Sequence, residues 1–403
     1  MRTKLSLFSI MICAGLSAQT FTEQTIDLTA SYAKDVYYNL PDASGEDEDA
    51  KNWHLAFGLG NGDAAIHFQD SWGNSIYRTS YTLADWSTID TAGISSMTPL
   101  NNSQTNWAIG SLNQDPVDPS SGFDLGWGTY DMVTHYVNGS AVYIAEIDGA
   151  YYKLFINQLK TGKYTFQYEE MVSGATLVQK EIVKSDYEDR TFVHYDMEQD
   201  IIFEREPEQE DWQFIIGKYI DLAPTTYPVV GVRTRKGIEI AEVDNTDPEM
   251  VDYSSLTYQT DINTVGFDWK SFNMGSFNYD ITENLSYVLK EEDGTLHHFY
   301  FTAYEGSSTG IVTLMYKTPN LNVSEIDKEQ KLVIASNPII TNQPVNIQLK
   351  EVNQLNVFDQ LGKLIQSESN PGSEMLLTFK QSGLYIVQAV LDHETITEKL
   401  VVQ

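Results

Sequence analysis

Gly122-Phe123-Asp124 opens a run that passes through Asp148-Gly149 and Tyr152-Lys153-Leu154-Phe155 and closes on Thr161-Gly162-Lys163-Tyr164-Thr165-Phe166-Gln167-Tyr168. The same grammar returns at Gly266-Phe267-Asp268, through Asp293-Gly294 and Phe299-Tyr300-Phe301, to Thr309-Gly310-Ile311-Val312-Thr313-Leu314-Met315-Tyr316. An Asp-Gly pair between alternating aromatic and aliphatic runs predicts a hairpin, because the turn needs positive φ that glycine adopts without steric cost. A fold that spells this twice is an all-β fold built on a repeated hairpin unit.

Working outward, a second anchor precedes each hairpin. Asn52-Trp53-His54-Leu55-Ala56-Phe57-Gly58 matches Asp211-Trp212-Gln213-Phe214-Ile215-Ile216-Gly217, a strand that begins at tryptophan and stops at glycine. Before each anchor stands a further strand, Asp35-Val36-Tyr37-Tyr38-Asn39-Leu40 or Arg190-Thr191-Phe192-Val193-His194-Tyr195-Asp196, and then acidic chain, Asp42 to Asp49 or Glu204 to Asp211. The acidic runs read as solvated loops. The first copy carries the longer insertion, with Asn101 to Gly122 rich in Asn, Ser, Pro and Asp, a surface loop by composition. The repeats span residues 19–172 and 173–320.

Composition narrows the function. The 403 residues carry a formal charge of −32, and the first 18 residues hold two bases and no acid, so the rest is more acidic still. Such a surface repels phosphate backbones and anionic headgroups, which argues against nucleic acid and membrane-surface binding. Met1 to Ala18 has Arg2 and Lys4, an apolar run Leu5 to Ala14 too short to span a bilayer, and small residues to Ala18, the pattern of a secretory signal peptide. No other transmembrane segment is expected. The one cysteine, Cys13, lies within it behind Ile12, a poor lipoprotein box, so disulfides, thiol chemistry and cysteine-ligated metals are not expected.

From residue 321 the aromatic content drops and seven short strand patterns with turns predict a small Ig-like β-sandwich. It carries Asn337-Pro338, Gly362-Lys363 after a strand, Gly383-Leu384-Tyr385, and the closing Lys399-Leu400-Val401-Val402. These elements resemble the type A C-terminal sorting domain of the type IX secretion system, which implies engagement of that machinery, export across the outer membrane, and a secreted or cell-surface protein.

The two repeats resemble the HmuY-like haem-binding family in the Asn/Asp-Trp strand and the hairpin ending Gly-x-x-Thr-Φ-x-Tyr. The expected architecture is thus two tandem HmuY-like β-rich domains before the sorting sandwich. The resemblance implies haem held by imidazole or thioether donors over an apolar slot. A ligand a few residues after a tryptophan corresponds to Met132 or His135 after Trp127, and to Met274 in Phe272-Asn273-Met274; His67 and Met97 lie where a second donor would come from. The residues themselves leave the bland readings open: His135 on an exposed strand face, Met132 and Met274 as packing, Trp53 and Trp212 in a core, His297-His298 on opposite faces of a strand. No His-Glu-x-x-His, phosphate loop or metal-binding motif is present, so no enzyme is expected. The expected function is extracellular binding, of haem by resemblance, or alternatively of glycan or protein by a duplicated fold that has lost haem ligands.

Overall fold

The computed structural model describes residues 20–319, 331–334, 337–391 and 395–403; the signal-peptide reading, on residues 1–18, falls outside them. Among the described residues no helix exceeds four residues, and every paired strand is antiparallel. The chain divides into two compact units, Met1–Pro319 and Asn320–Gln403.

In the first unit the two repeats contribute matching sets of eleven strands. The first set is β1 Thr22–Asp27, β2 Lys34–Asn39, β3 Ser44–Asp49, β4 Leu55–Gly58, β5 Ile66–Phe68, β6 Ser75–Arg78, β7 Gly128–Asp131, β8 Tyr136–Gly139, β9 Val142–Ile147, β10 Ala150–Lys160 and β11 Lys163–Glu170. The second is β12 Val178–Val183, β13 Phe192–Asp196, β14 Ile201–Phe203, β15 Phe214–Asp221, β16 Tyr227–Thr234, β17 Glu239–Val243, β18 Lys270–Asn273, β19 Asn278–Ile281, β20 Ser286–Lys290, β21 Leu296–Tyr304 and β22 Ile311–Lys317. The hairpins announced by Asp148-Gly149 and Asp293-Gly294 join β9 to β10 and β20 to β21, with both glycines at positive φ.

The sheets are cut differently from the sequence repeat. The first three strands of each repeat pair with the body of the other: β12 lies against β11 and β13 against β4, while β1 lies against β22 and β2 against β15. One sandwich is therefore the continuous segment β4 to β14, its four-stranded sheet β14-β13-β4-β5 packed on a seven-stranded sheet that includes β12-β11-β10. The other is assembled from β1–β3 and β15–β22, with sheets β16-β15-β2-β3 and β1-β22-β21-β20-β17. Each has its own core, around Trp127, Phe57, Phe166 and Tyr195 in the first and Trp269, Phe214, Phe299 and Tyr38 in the second.

The four-stranded sheets have apolar residues on one face for their own core and a different set on the other. In β4, β5 and β13 every residue is buried. Strands buried on both faces read as continuous hydrophobic runs rather than alternating ones, and here the outer faces of the two sheets turn toward each other. The acidic stretch read as a loop is corrected: Ser44 to Asp49 is strand β3, an edge whose Asp47 pairs with Lys34 on β2. Acidic side chains on an edge strand discourage further pairing, which is what this composition achieves.

The second unit is a sandwich of β23 Leu332–Ile334, β24 Pro344–Leu349 and β27 Glu374–Thr378 against β25 Gln354–Asp359, β26 Leu364–Ser369, β28 Gly383–Val390 and β29 Thr395–Val402. Its sequence motif residues do recognisable work. Asn337 donates through Nδ2 to Lys399 O at 2.7 Å and accepts from Val401 N at 2.9 Å, fastening the chain between β23 and β24 to the last strand. Gly362, at φ 78°, and Lys363 form the turn in which Asp359 Oδ1 accepts both Leu361 and Lys363 N–H. Tyr385, behind Gly383 and Leu384, donates to Gln381 O and packs on Phe379.

Candidate functional site

Between the two four-stranded sheets lies a cavity of about 50 Å³. The rows of residues that face it follow from strand register. On one side His67, Ala56 and His194 stand abreast on β5, β4 and β13; on the other Arg233, Ile215 and Tyr37 stand abreast on β16, β15 and β2. Trp53 precedes the first row and Trp212 the second. The equivalence extends to ring geometry: Trp53 meets His194 edge-on at 5.0 Å and Trp212 meets Tyr37 edge-on at 5.0 Å.

The duplicated positions carry unlike chemistry. Gly217 sits beside Asp35, and a Cβ there would stand 2.1 Å from Asp35 Oδ1; the second tryptophan strand does not stop at this glycine but runs on to Asp221, and the glycine in its middle makes room for a carboxylate. Asp35 pairs with Arg205 at 3.1 Å, both side chains almost wholly buried; burial pushes the Asp35 carboxyl up against the opposing pull of Arg205 and Arg233. Arg205 also donates to Asp49 O, and its neighbour Glu206 accepts from Thr191 N and Phe192 N at 2.8 Å each. Burial still raises Glu206 to about 7 and Asp70 to about 6, and lowers His67 to about 4. His194 is lowered too, by burial first and then by Arg205.

The first repeat's long loop closes the cavity. Trp107 donates through Nε1 to Thr234 O at 2.7 Å, and its own carbonyl accepts from His67 Nε2 at 2.8 Å. Asn102 holds Phe68 from both sides and donates its backbone N–H to Asp70. Around this chamber Asp35 Oδ1, Trp53 Nε1, His194 Nδ1, Arg205 Nε, Trp212 Nε1 and Tyr219 OH are buried without a hydrogen-bond partner among the described residues. A buried polar atom left unmatched costs about 1–3 kcal/mol, so their concentration around one chamber marks a place where polar groups are meant to be met.

The residues expected from the sequence to hold haem lie elsewhere. Met132 and His135 belong to the turn joining β7 to β8, and Met274 to the equivalent turn joining β18 to β19. In the first turn Asp131 Oδ1 accepts the Val133 and Thr134 N–H groups, and in the second Asn273 Oδ1 accepts those of Gly275 and Ser276. Met132 is 64% and Met274 73% exposed. His135 is a turn residue at φ 60° rather than a strand residue, and its Nδ1 is engaged by Tyr130 OH at 2.7 Å. Met97 is half-buried against the small apolar cluster of Ile89, Ile94, Val142, Ile144 and Phe155. The tryptophan equivalent to Trp127 is Trp269, each fully buried and five residues ahead of its methionine; the Gly-Phe-Asp match had set the copies two residues out of step there. The histidine pair is structural: His297 contacts Tyr316 OH and Glu291, His298 contacts Tyr253 OH.

Two other places were candidates. His54, Asp196 and Glu198 bring ligand atoms within 4.8 Å of one another. His54 Nδ1, however, accepts the Met197 N–H, as Gln213 Oε1 accepts the Leu40 N–H at the equivalent position; Nε2 then carries the ring proton and has no lone pair for a metal. An open groove of about 840 Å³ runs past Lys184, Arg190 and Arg235, whose side chains are already bonded to Gly60 O, Glu206 O and Glu291. Neither matches the chamber. The signal for it was in the sequence as Trp53 and Trp212, but Arg205, Arg233 and Asp35 carried none.

Residues 337–403 match the family described as the secretion system C-terminal sorting domain. None of the curated proteins compared matches the chain. A sorting domain of this kind directs export by the type IX system, so the protein is secreted or held at the cell surface, and among the described residues no helix is long and apolar enough to cross a membrane.

Proposed function

We propose that the first unit is the exported cargo, a non-enzymatic extracellular binding protein whose ligand site is the chamber between the two sandwiches. The observation that carries this reading is the set of buried polar groups without partners around that chamber, framed by three tryptophans. Aromatic faces with polar atoms at their edges suit small polar molecules and the polar ends of glycans. The haem reading is less well served, since Met132, His135 and Met274 stand exposed on turns.

The test uses the purified protein, with tryptophan emission and thermal melting followed against a panel of small polar molecules and oligosaccharides, and haemin run beside them. We expect at least one panel member to shift the emission and raise the melting temperature, with the response lost in Trp107→Ala, and haemin to show only the broad absorbance of the free compound. A sharpened Soret band that disappears in Met132→Ala or His135→Ala would reinstate haem. Turnover of a panel member would overturn the non-enzymatic reading.

A further inference from the structure

We infer that the chamber is a carboxylate site in which Arg233 receives the oxyanion of a compact, singly charged ligand or of the carboxylate end of a larger one. This rests on the chamber being the ligand site, as proposed above.

The case begins with how the buried arginines are satisfied. Arg205 has Asp35 and Asp49 O; Arg235 has Trp212 O and Glu291. Arg233, two residues before Arg235 and on the cavity face of β16, has neither a hydrogen bond nor an ion pair on its side chain among the described residues. Its guanidinium is packed against the faces of Trp107 at 4.8 Å and Tyr219 at 5.3 Å. Stacking of this kind fixes the plane of the fork while using none of its N–H groups, which leaves a pre-oriented bidentate donor. The equivalent position on the facing sheet, His67, is already satisfied by Trp107 O, so of the two facing positions the asymmetry points to Arg233.

The acids nearby are each engaged, although Asp35 and Asp70 also attract the Arg233 charge and Asp35 Oδ1 has no hydrogen-bond partner among the described residues. Asp35 is held by Arg205, Asp70 by the Asn102 N–H, and Glu206 by the backbone of Thr191 and Phe192. Lys218 also lines the chamber with no ion pair among the described residues, its Nζ 3.4 Å from the Trp72 ring centroid. A cavity needs roughly 10–15 Å³ for each water-sized group, so about 50 Å³ takes a carboxylate with one or two carbons and excludes a whole sugar ring. Three acids in the walls disfavour a dianion, which separates a carboxylate from phosphate.

The charged and titratable groups around Arg233 are Asp35 and Tyr37 from β2, His67 and Asp70 from β5 and its end, His194 from β13, Arg205 and Glu206 after β14, and Lys218 and Tyr219 from β15. Between pH 8 and pH 6 the walls shed negative charge as Glu206, raised to about 7, and Asp70, raised to about 6, take up protons, while His67 stays neutral. Anion affinity therefore rises on acidification.

The experiment titrates the purified protein with acetate, pyruvate and glucuronate, with glucose, phosphate and sodium chloride as controls, by tryptophan emission and calorimetry at pH 6 and pH 8. The expected result is saturable binding of acetate and pyruvate that tightens several-fold at pH 6, falls at least tenfold in Arg233→Gln and falls less in Arg233→Lys and Lys218→Gln. Binding of glucuronate in addition identifies the carboxylate end of a sugar as the source. Folding of each variant is checked by its melting temperature. A response to glucose with none to carboxylates overturns the ligand class and leaves the chamber reading standing; silence from every probe overturns both. Carboxylate binding unchanged in a folded Arg233→Gln places the anion elsewhere and overturns the assignment.

Discussion

Arg205 shows at the level of one residue how the buried seam is held. Its pair with Asp35 is 3.1 Å long with side chains 1% and 8% exposed, and removing one partner of such a pair strands the other. Arg205→Met should therefore lose about 3–5 kcal/mol in urea unfolding, whereas the exposed pair Lys163 with Glu181 should give less than about 1 kcal/mol when broken. Glu206 has a pH signature. Raised from 4.5 to about 7, it binds a proton in the folded state that the unfolded chain releases between those values, so its contribution grows as pH falls from 7 toward 4.5. Measured against Glu206→Gln, the wild-type protein should gain stability on acidification across that window, on the order of 3 kcal/mol; a pH-independent difference would refute the assignment. At the hairpin tips, by contrast, Met132→Ser and Met274→Ser should each move stability by no more than about 0.5 kcal/mol, since both side chains stand in solvent.

At the scale of elements, the exchange of three strands between repeats is the feature that makes the chamber. Chain crosses from one sandwich to the other after β3 and again after β14; Trp53 lies on the first crossing, and Arg205, Glu206 and Trp212 on the second. The strand types and most of their turns were legible in the sequence, because Asp-Gly turns and aromatic alternation are local signals. The partners of β1, β2, β12 and β13 were not, because a strand's edge carries no label saying which copy of a repeated edge it should join. The exchange has a measurable consequence. Deleting Thr22 to Asp27 removes Ile26 from the second core and bares the edge of β22, so hydrogen exchange should quicken in β21 and β22 while β10 and β11, covered by β12, keep their protection. Equal loss in both sandwiches would argue against this pairing.

For the whole molecule, a charge of −32 sets a background of self-repulsion that salt screens within about 8–10 Å at physiological strength. The melting temperature should rise as sodium chloride goes from about 0.01 to about 0.15 M, against the fall expected where attractive surface pairs dominate. What the sequence determined by itself was the all-β class, the duplication, and the C-terminal sorting unit, since each is written in short-range patterns of turns, alternation and motif spacing. The site was decided only by the tertiary structure. His67, Arg233, Tyr37 and His194 come from four strands spread over nearly 200 residues, and what aligns them is the register of two sheets and the exchange that turns their outer faces together. Whether a buried polar side chain is satisfied or left to receive a ligand depends on what the opposing sheet presents, and no single strand encodes that.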